Sequence, residues 1–401
     1  MRIETNGQRG WLGYCANVHP GESLRSVLHA IEHFGRGVRR ELGVDRLALG
    51  LWLSRAALTE LEHVGTAPLM AALAEAGIAV VSLNGFPFGD FHAEVVKRAV
   101  YHPDLGSDRR REYLLGLAGV LAAVMPADVE EGTISTLPLG HREEALDGSA
   151  ADGGGVVERA LAAERAALQL CRLAVELARL RDRTGRAIRI CLEPEPGCWL
   201  ESTRDAIEFF TERLPKSAEQ LGTPSGLLRD HLGVCYDTCH QAIVFEDAAR
   251  SIEALHGAGI RIGKAQLSSA IEIVDPGDPA AREELMRFAE PRFLHQVRTL
   301  AADGGVLGVD DLPAAMTLPT DRPFRVHFHV PIHRARIGRL TTTRPFLESA
   351  LASLAKLPEL PHLEVETYTW SVLPERERPT SDRELMRGLA DELRWAEGAL
   401  P

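Results

Sequence analysis

The chain predicts an α/β protein folded as a (β/α)8 barrel, on three observations. Short apolar, β-rich runs alternate with amphipathic helical stretches. The 401 residues hold one barrel of about 250 residues with about 150 to spare for long loops. Within several runs, charged or imidazole side chains recur at every second position, so one strand face is polar and the other apolar.

Nine runs qualify as strands: Trp11–Val18, Leu47–Leu53, Ile78–Leu83, Thr133–Leu137, Ile188–Glu193, Leu232–Tyr236, Ile260–Leu267, Phe324–Val330 and Leu363–Tyr368. Between them, Val156–Leu180 is the clearest helix, with Leu170, Leu173, Ala174 and Leu177 at i, i+3, i+4, i+7. Asp147–Gly155, rich in Gly and Asp, reads as a flexible loop before it. Eight strands close the barrel, so one run is extra. The suspect region is 271–331, where Asp275–Pro279 and two β-like pieces, Phe293–Leu300 and Gly305–Val309, stretch the spacing. It reads as an insertion at about 271–323, in hairpin form, with Phe324–Val330 returning beside the barrel mouth. The alternative makes Phe324–Val330 a barrel strand and excludes an earlier run. The whole chain, 1–401, reads as one domain.

Composition narrows the function. Asp and Glu outnumber Lys and Arg, 57 to 45, for a net charge of −12. A chain that repels phosphate overall is a poor non-specific nucleic-acid binder. The basic runs Arg109–Arg111 and Arg36/Arg39/Arg40 read as solvated helix faces. The apolar, uncharged stretch Tyr113–Met125 has 13 residues, too few to span a bilayer. With Arg2, Glu4 and Arg9 at the start and no leader-like apolar segment, a cytoplasmic protein is expected. The six cysteines show neither disulfide nor zinc-ribbon spacing, and Cys235 and Cys239 read as core.

The polar strand positions carry the chemistry. Cys191 with Glu193, Cys235 with Asp237, Lys264 with Gln266, His327 with His329, and Glu364 with Glu366 each share a face. Facing the lumen, they converge at the C-terminal rim, where such barrels carry their active sites. Buried carboxylates brought together raise one another's pKa or recruit a cation. Mixed oxygen and nitrogen donors suit Mn²⁺, Mg²⁺ or Zn²⁺. Taken singly, each Glu reads as salt-bridged or exposed. Glu195, between Pro194 and Pro196, reads as loop, and His19, His92 and His295 read as structural.

The stretch LGVCYDTCH (232–240) resembles the xylose-isomerase-like TIM-barrel superfamily, nearest to endonuclease IV and also similar to ketose 3-epimerases. Leu192-Glu193-Pro194 and Glu366-Thr367-Tyr368 look like the epimerases' ligand-bearing strand motifs. The whole chain also resembles the EboE-type metabolite-traffic proteins of bacterial ebo clusters. It does so through GYCANVHPGES (13–23), SLNGFPFGDFH (82–92), STLPLG (135–140), LEPEPGCWLE (192–201), EPRFLHQ (290–296), VHFHVPI (326–332) and EVETYTW (364–370). The resemblance implies metal ligands at Glu193, Asp237 and Glu366, with Gln266 where the epimerases have His. It places His240 and His329 at positions of a second metal or of substrate contact, with His19 and His92 as candidates for the nuclease's early ligands.

Three functions follow. In the first, a metal-dependent isomerase or epimerase acts on a small sugar- or polyol-like metabolite through an enediolate, with Glu193 and Glu366 as catalytic acid and base. Asp237 and Gln266 then help hold the metal, while His240, His327, His329 and Lys264 contact or support the substrate. Phe86, Phe88, Trp199 and Trp370 are expected to form the apolar wall. In the second, the barrel is a non-catalytic metabolite carrier. The third, an endonuclease IV-like phosphodiesterase, is opposed by the charge and the missing early His ligands.

Overall fold

The computed structural model describes residues 1–142 and 156–401; the expected loop Asp147–Gly155 lies outside the described residues. In chain order the strands are β1 (Arg2–Thr5), β2 (Gln8–Cys15), β3 (Leu47–Trp52), β4 (Ile78–Ala79), β5 (Ser82–Asn84), β6 (Glu131–Thr136), β7 (Ala187–Leu192) and β8 (Leu232–Asp237). They continue as β9 (Ile262–Leu267), β10 (Ser269–Ile273), β11 (Val297–Leu300), β12 (Val306–Val309), β13 (Phe324–Val330), β14 (Arg336–Ile337), β15 (Leu340–Thr342) and β16 (His362–Val365).

Eight parallel strands close on themselves in the order β2-β3-β5-β6-β7-β8-β9-β16, with β16 pairing back onto β2. The third is made in two pieces, β4 and β5, both paired with β3. Helices lie between successive strands. The longest, Val156–Thr184, buries Leu170, Leu173, Ala174 and Leu177, the positions its periodicity marks. The protein is therefore a (β/α)8 barrel, and its outer strand faces bury Leu and Ile under the helices.

The extra run is Phe324–Val330. It pairs antiparallel with β10 and β11, outside the barrel, in a second sheet ordered β12-β11-β13-β10-β15-β14. This sheet begins where β9 ends: β9 stops at Leu267, Ser268 turns the chain, and β10 starts at Ser269. The barrel wall thus runs straight into the second sheet, which carries β13 over the C-terminal mouth. Trp11–Val18 is also shorter than it reads, because the strand stops at Cys15 and a 3-10 turn follows at Ala16–Val18.

The lumen is polar in layers. At the N-terminal end Arg189 pairs with Glu131 (2.8 Å). Above it, Lys264 Nζ donates to Glu364 (3.0 Å), Asn84 Oδ1 (2.7 Å) and Ser135 (3.2 Å). Gly50 makes room for this layer, since a Cβ there would lie 2.0 Å from a Glu364 oxygen. The top layer holds Glu193, Asp237, Gln266 and Glu366.

The last helix, Asp382–Ala399, reaches the mouth through Glu392, which is fully buried. Its Oε1 accepts from the Ile332 N–H (3.0 Å) and the Thr367 hydroxyl (2.6 Å). Burial pushes its pKa from 4.5 up to about 8. The folded protein therefore keeps a proton that the unfolded chain releases. The stability tied to this group is full below about pH 4.5 and is lost as pH rises through 8. Glu392→Gln retains the Oε1 acceptor without the charge. Thermal melts should show wild type losing more Tm than the variant between pH 5 and pH 9, by roughly several degrees. Parallel curves would refute the assignment.

Candidate active site and metal centre

A cleft of about 570 Å³, counting the space open to solvent, lies at the C-terminal mouth. Glu193 follows β7, Asp237 ends β8, Gln266 lies in β9, and Glu366 follows β16. Each is 4 % exposed or less. The sequence expectation that these side chains meet is answered in distance: one carboxylate oxygen from each of Glu193, Asp237 and Glu366 lies within 4.8 Å of the other two. Alternation alone does this, because strands of a closed barrel aim their lumen faces at one axis.

Hydrogen bonding fixes the four groups unequally. Gln266 Nε2 donates to both Glu193 oxygens (2.9 Å each). Asp237 Oδ1 accepts from the Cys239 and His240 N–H groups (2.7 and 2.9 Å) and the Ser268 hydroxyl (2.8 Å), capping helix Thr238–Ile243. Glu366 accepts from Asn17 Nδ2 (3.2 Å). At this cluster three buried acceptors have no partner among the described residues: Asn17 Oδ1, Asp237 Oδ2 and Gln266 Oε1. Orphaned buried acceptors beside clustered carboxylates are what a hard cation satisfies, so the donor set fits Mn²⁺, Mg²⁺ or Zn²⁺.

The pKa shifts agree with that geometry. Burial pushes Glu193 up to about 7. Burial, reinforced by Glu193 and Asp237, pushes Glu366 well above the carboxylate range. For Asp237 burial acts upward, but His240, His329 and the hydrogen bonds to Oδ1 outweigh it and leave its pKa low.

A second cluster adjoins the first. His240 Nδ1–H donates to the Pro194 carbonyl (3.0 Å), and His329 Nδ1–H to the Glu366 carbonyl (3.0 Å). His327 Nδ1–H donates to Gln296 Oε1 (2.6 Å), whose amide nitrogen is turned toward the Pro196 carbonyl. With each Nδ1 proton spent, the Nε2 atoms are the free acceptors, yet they converge: His240 to His327 is 3.1 Å, and His327 to His329 is 3.0 Å. A lone proton could bridge just one of these contacts. Carbonyl-anchored imidazoles presenting Nε2 are the arrangement in which proteins hold transition metals. One ligand group, Asp237, His240 and His329, spans the join between the clusters, and Glu195, His240 and His327 form another beside it.

The structure separates the other candidates. Lys264 lies beneath the site, 0 % exposed and occupied by Glu364, and does not line the cleft. Trp370 packs toward Gly388 on the last helix, outside the cleft lining. Phe86 lines the cleft, but Phe88 stacks edge-on against Tyr113 behind it, and Trp199 is also absent from the lining. The wall is built instead by Phe86, Phe91, Phe293 and Tyr368 with Val96 and Leu294. His19 is stacked on Phe34 and bonded to Tyr14, and His92 pairs with Glu22, so neither joins the centre. Arg110 is not a solvated face: it is fully buried and holds the carbonyls of Gly85 and Phe86 (2.8 Å each), positioning the Phe86 ring.

Four residues of the site escaped the sequence reading: Asn17, Tyr101, Glu195 and Tyr368. Glu195 is 5 % exposed and accepts from the Tyr101 hydroxyl (2.7 Å). The signal for it was its spacing, two residues past Glu193 in Glu-Pro-Glu-Pro.

No family model matches the chain, and no curated protein matches it. Solved structures do. A xylose isomerase-like TIM-barrel protein from Mycobacterium smegmatis, in complex with magnesium, has TM-score 0.50 and 13% identity over 98% of each chain. The IOLI protein with a bound zinc atom has TM-score 0.49 and 12% identity over 97% of this chain and 98% of its own. A D-tagatose 3-epimerase-like protein has TM-score 0.49 and 14% identity over the same shares. The first of these shares this chain's fold, a xylose isomerase-like (β/α)8 barrel, and an identity this low establishes the fold alone. None of the three bears on the finer resemblance to EboE-type proteins. Among the described residues, no helix is long and apolar enough to cross a membrane.

Proposed function

We propose that the protein is a divalent-metal-dependent isomerase or epimerase acting on a small sugar- or polyol-like metabolite through an enediolate. The observation that carries the reading is the buried meeting of Glu193, Asp237 and Glu366 beside unpartnered acceptors. Glu193, Asp237, Gln266 and Glu366 would hold the cation. When bound, a divalent cation supplies Lewis acidity to adjacent carbonyl and hydroxyl oxygens.

The chain's own residues supply the rest. Glu193, with its pKa about 7, can hold or release a proton near neutrality, as a general base must. Gln266 fixes that carboxylate through both oxygens, so it meets a substrate carbon in one orientation. Glu366 approaches from β16, two strands away from β8 around the ring, and Asn17 orients it. One of the pair takes the proton and the other returns it. The imidazoles of His240 and His329 orient substrate oxygens at the edge of the carboxylate cluster.

The non-catalytic carrier reading has one observation in its favour: Gln266 stands where an imidazole ligand is expected and is engaged with Glu193. The phosphodiesterase reading loses His19 and His92, which are engaged elsewhere. The discriminating measurement is deuterium wash-in from D₂O across a ketose panel with metal-loaded protein. Exchange at one substrate carbon is expected, falling about 10²- to 10⁴-fold in Glu366→Gln while ligand binding persists. Binding without exchange in wild type would favour the carrier. Unchanged exchange in Glu366→Gln would remove the proposed acid–base pair.

A further inference from the structure

The cleft above the carboxylates is not built for a bare polyol. Every hydroxyl of a buried sugar needs a hydrogen-bond partner, and an unmet one costs more than its burial gains. The polar wall groups are already engaged. Tyr101 donates to Glu195 (2.7 Å). Lys97 Nζ, at the rim, spends one of its three donors on Asp311 (2.5 Å). Asn84 spends its amide on Glu364 (2.8 Å) and the Gly50 carbonyl (3.2 Å), and its Oδ1 on Lys264 and Ser135. Among the described lining residues, free polar capacity is therefore concentrated at the floor, in Asn17, the carboxylates and the imidazoles, with the Tyr368 hydroxyl above them and the remaining Lys97 donors out at the rim.

The upper wall is aromatic. Phe91, Phe293 and Tyr368 form a mutual cluster with ring centroids 5.2 to 5.4 Å apart. Tyr368 also abuts His329, at 4.7 Å between ring centroids, so the apolar wall begins where the imidazoles end. Phe86 and Leu294 extend it. Its rim is tied down. The N–H groups of Val96 and Lys97 both donate to the Arg292 carbonyl (2.8 Å each), and Arg98 pairs with Asp310 (3.1 Å). The wall is thus preformed, and a preformed apolar wall over a polar floor selects a ligand with the same two ends.

We infer that the ligand is amphiphilic: two adjacent oxygen donors at the floor, joined to an aromatic or other apolar group lying against Phe91, Phe293 and Tyr368. This rests on the metal-centre reading above and narrows its substrate class away from free polyols.

The test uses the full chain loaded with Mn²⁺ or Zn²⁺ and three hydroxamates that share one chelating head. Acetohydroxamate ends in methyl, benzohydroxamate in phenyl, and threonohydroxamate in a polyhydroxyl chain. Titration calorimetry is expected to rank benzohydroxamate about 10- to 100-fold tighter than acetohydroxamate, with threonohydroxamate no tighter than acetohydroxamate. Phe293→Ala should erase most of the phenyl advantage and leave acetohydroxamate unchanged. Threonohydroxamate equal to or tighter than benzohydroxamate overturns the inference and leaves the metal centre standing. Equal binding of all three does the same. Binding of none overturns the metal centre, and this inference with it.

Discussion

Reloading chelator-treated protein with Mn²⁺, Mg²⁺ or Zn²⁺ is expected to raise its melting temperature by roughly 5 °C at a concentration about a thousand times Kd. The size follows from linkage: a ligand that binds only the folded chain stabilises it by about 4 kcal/mol at that excess, and a chain of this length gains little more than about 1 °C per kcal/mol. The direction follows from the site. Glu193, Asp237 and Glu366 are crowded within 4.8 Å, and the structure offers Asp237 Oδ2 and Gln266 Oε1 no other donor among the described residues. Asp237→Asn keeps the Oδ1 acceptor that caps helix Thr238–Ile243 but removes the charge, so most of the metal-dependent rise should vanish while the metal-free Tm changes little. Ligands must shed protons to bind, and Glu193 titrates at about 7. The rise should therefore shrink as pH falls from 8 to 5.5. Elemental analysis adds stoichiometry: two ions per chain, falling to one in His327→Ala, would place the second at the imidazoles. An identical melt with and without all three ions would refute the centre altogether.

Much of this centre was legible because a barrel converts a period of two into convergence. Glu193, Asp237, Gln266 and Glu366 end apolar strands, and closure brings strand ends together without further information. Depth was not legible. Lys264 and Gln266 share a face, yet two residues of strand rise, roughly 6–7 Å, put one beneath the site and the other in it, and the stagger between strands decides which neighbours share each level. Strand membership was ambiguous for the same reason that it was detectable. Val-His-Phe-His-Val alternates as well in an antiparallel sheet over the mouth as in a barrel wall, and only pairing with β10 and β11 separates the two. Loops carry no period at all. Phe86 and Phe88 differ by two residues, and it is the buried Arg110 grip on the Gly85 and Phe86 carbonyls that holds the loop in place. Asn17, Glu195 and Tyr368 follow their strands, past the last position the alternation reaches.

Lys264→Met should destabilise the protein by roughly 3–5 kcal/mol, the cost of stranding a buried charge. Lys264 is 0 % and Glu364 2 % exposed, and their 3.0 Å pair sits in the lumen beneath the centre. Burial alone would depress the lysine pKa, but the Glu364 carboxylate more than reverses this and holds the ammonium charged. Removing that cation leaves Glu364 with the Asn84 amide (2.8 Å) as its remaining side-chain donor in the lumen layer. Adding Glu364→Gln neutralises the stranded charge, so the double variant should recover more than half of the loss in urea denaturation. A double-mutant cycle then measures the pair directly. The same variants separate two roles for Lys264. A lysine acting on substrate would lose turnover with stability intact, and neutralising Glu364 would restore nothing. A lysine that holds the lumen closed loses stability first, and the turnover that the double variant regains should track the folded fraction. Glu193 and Glu366 stand directly above this layer, so their positions depend on its integrity.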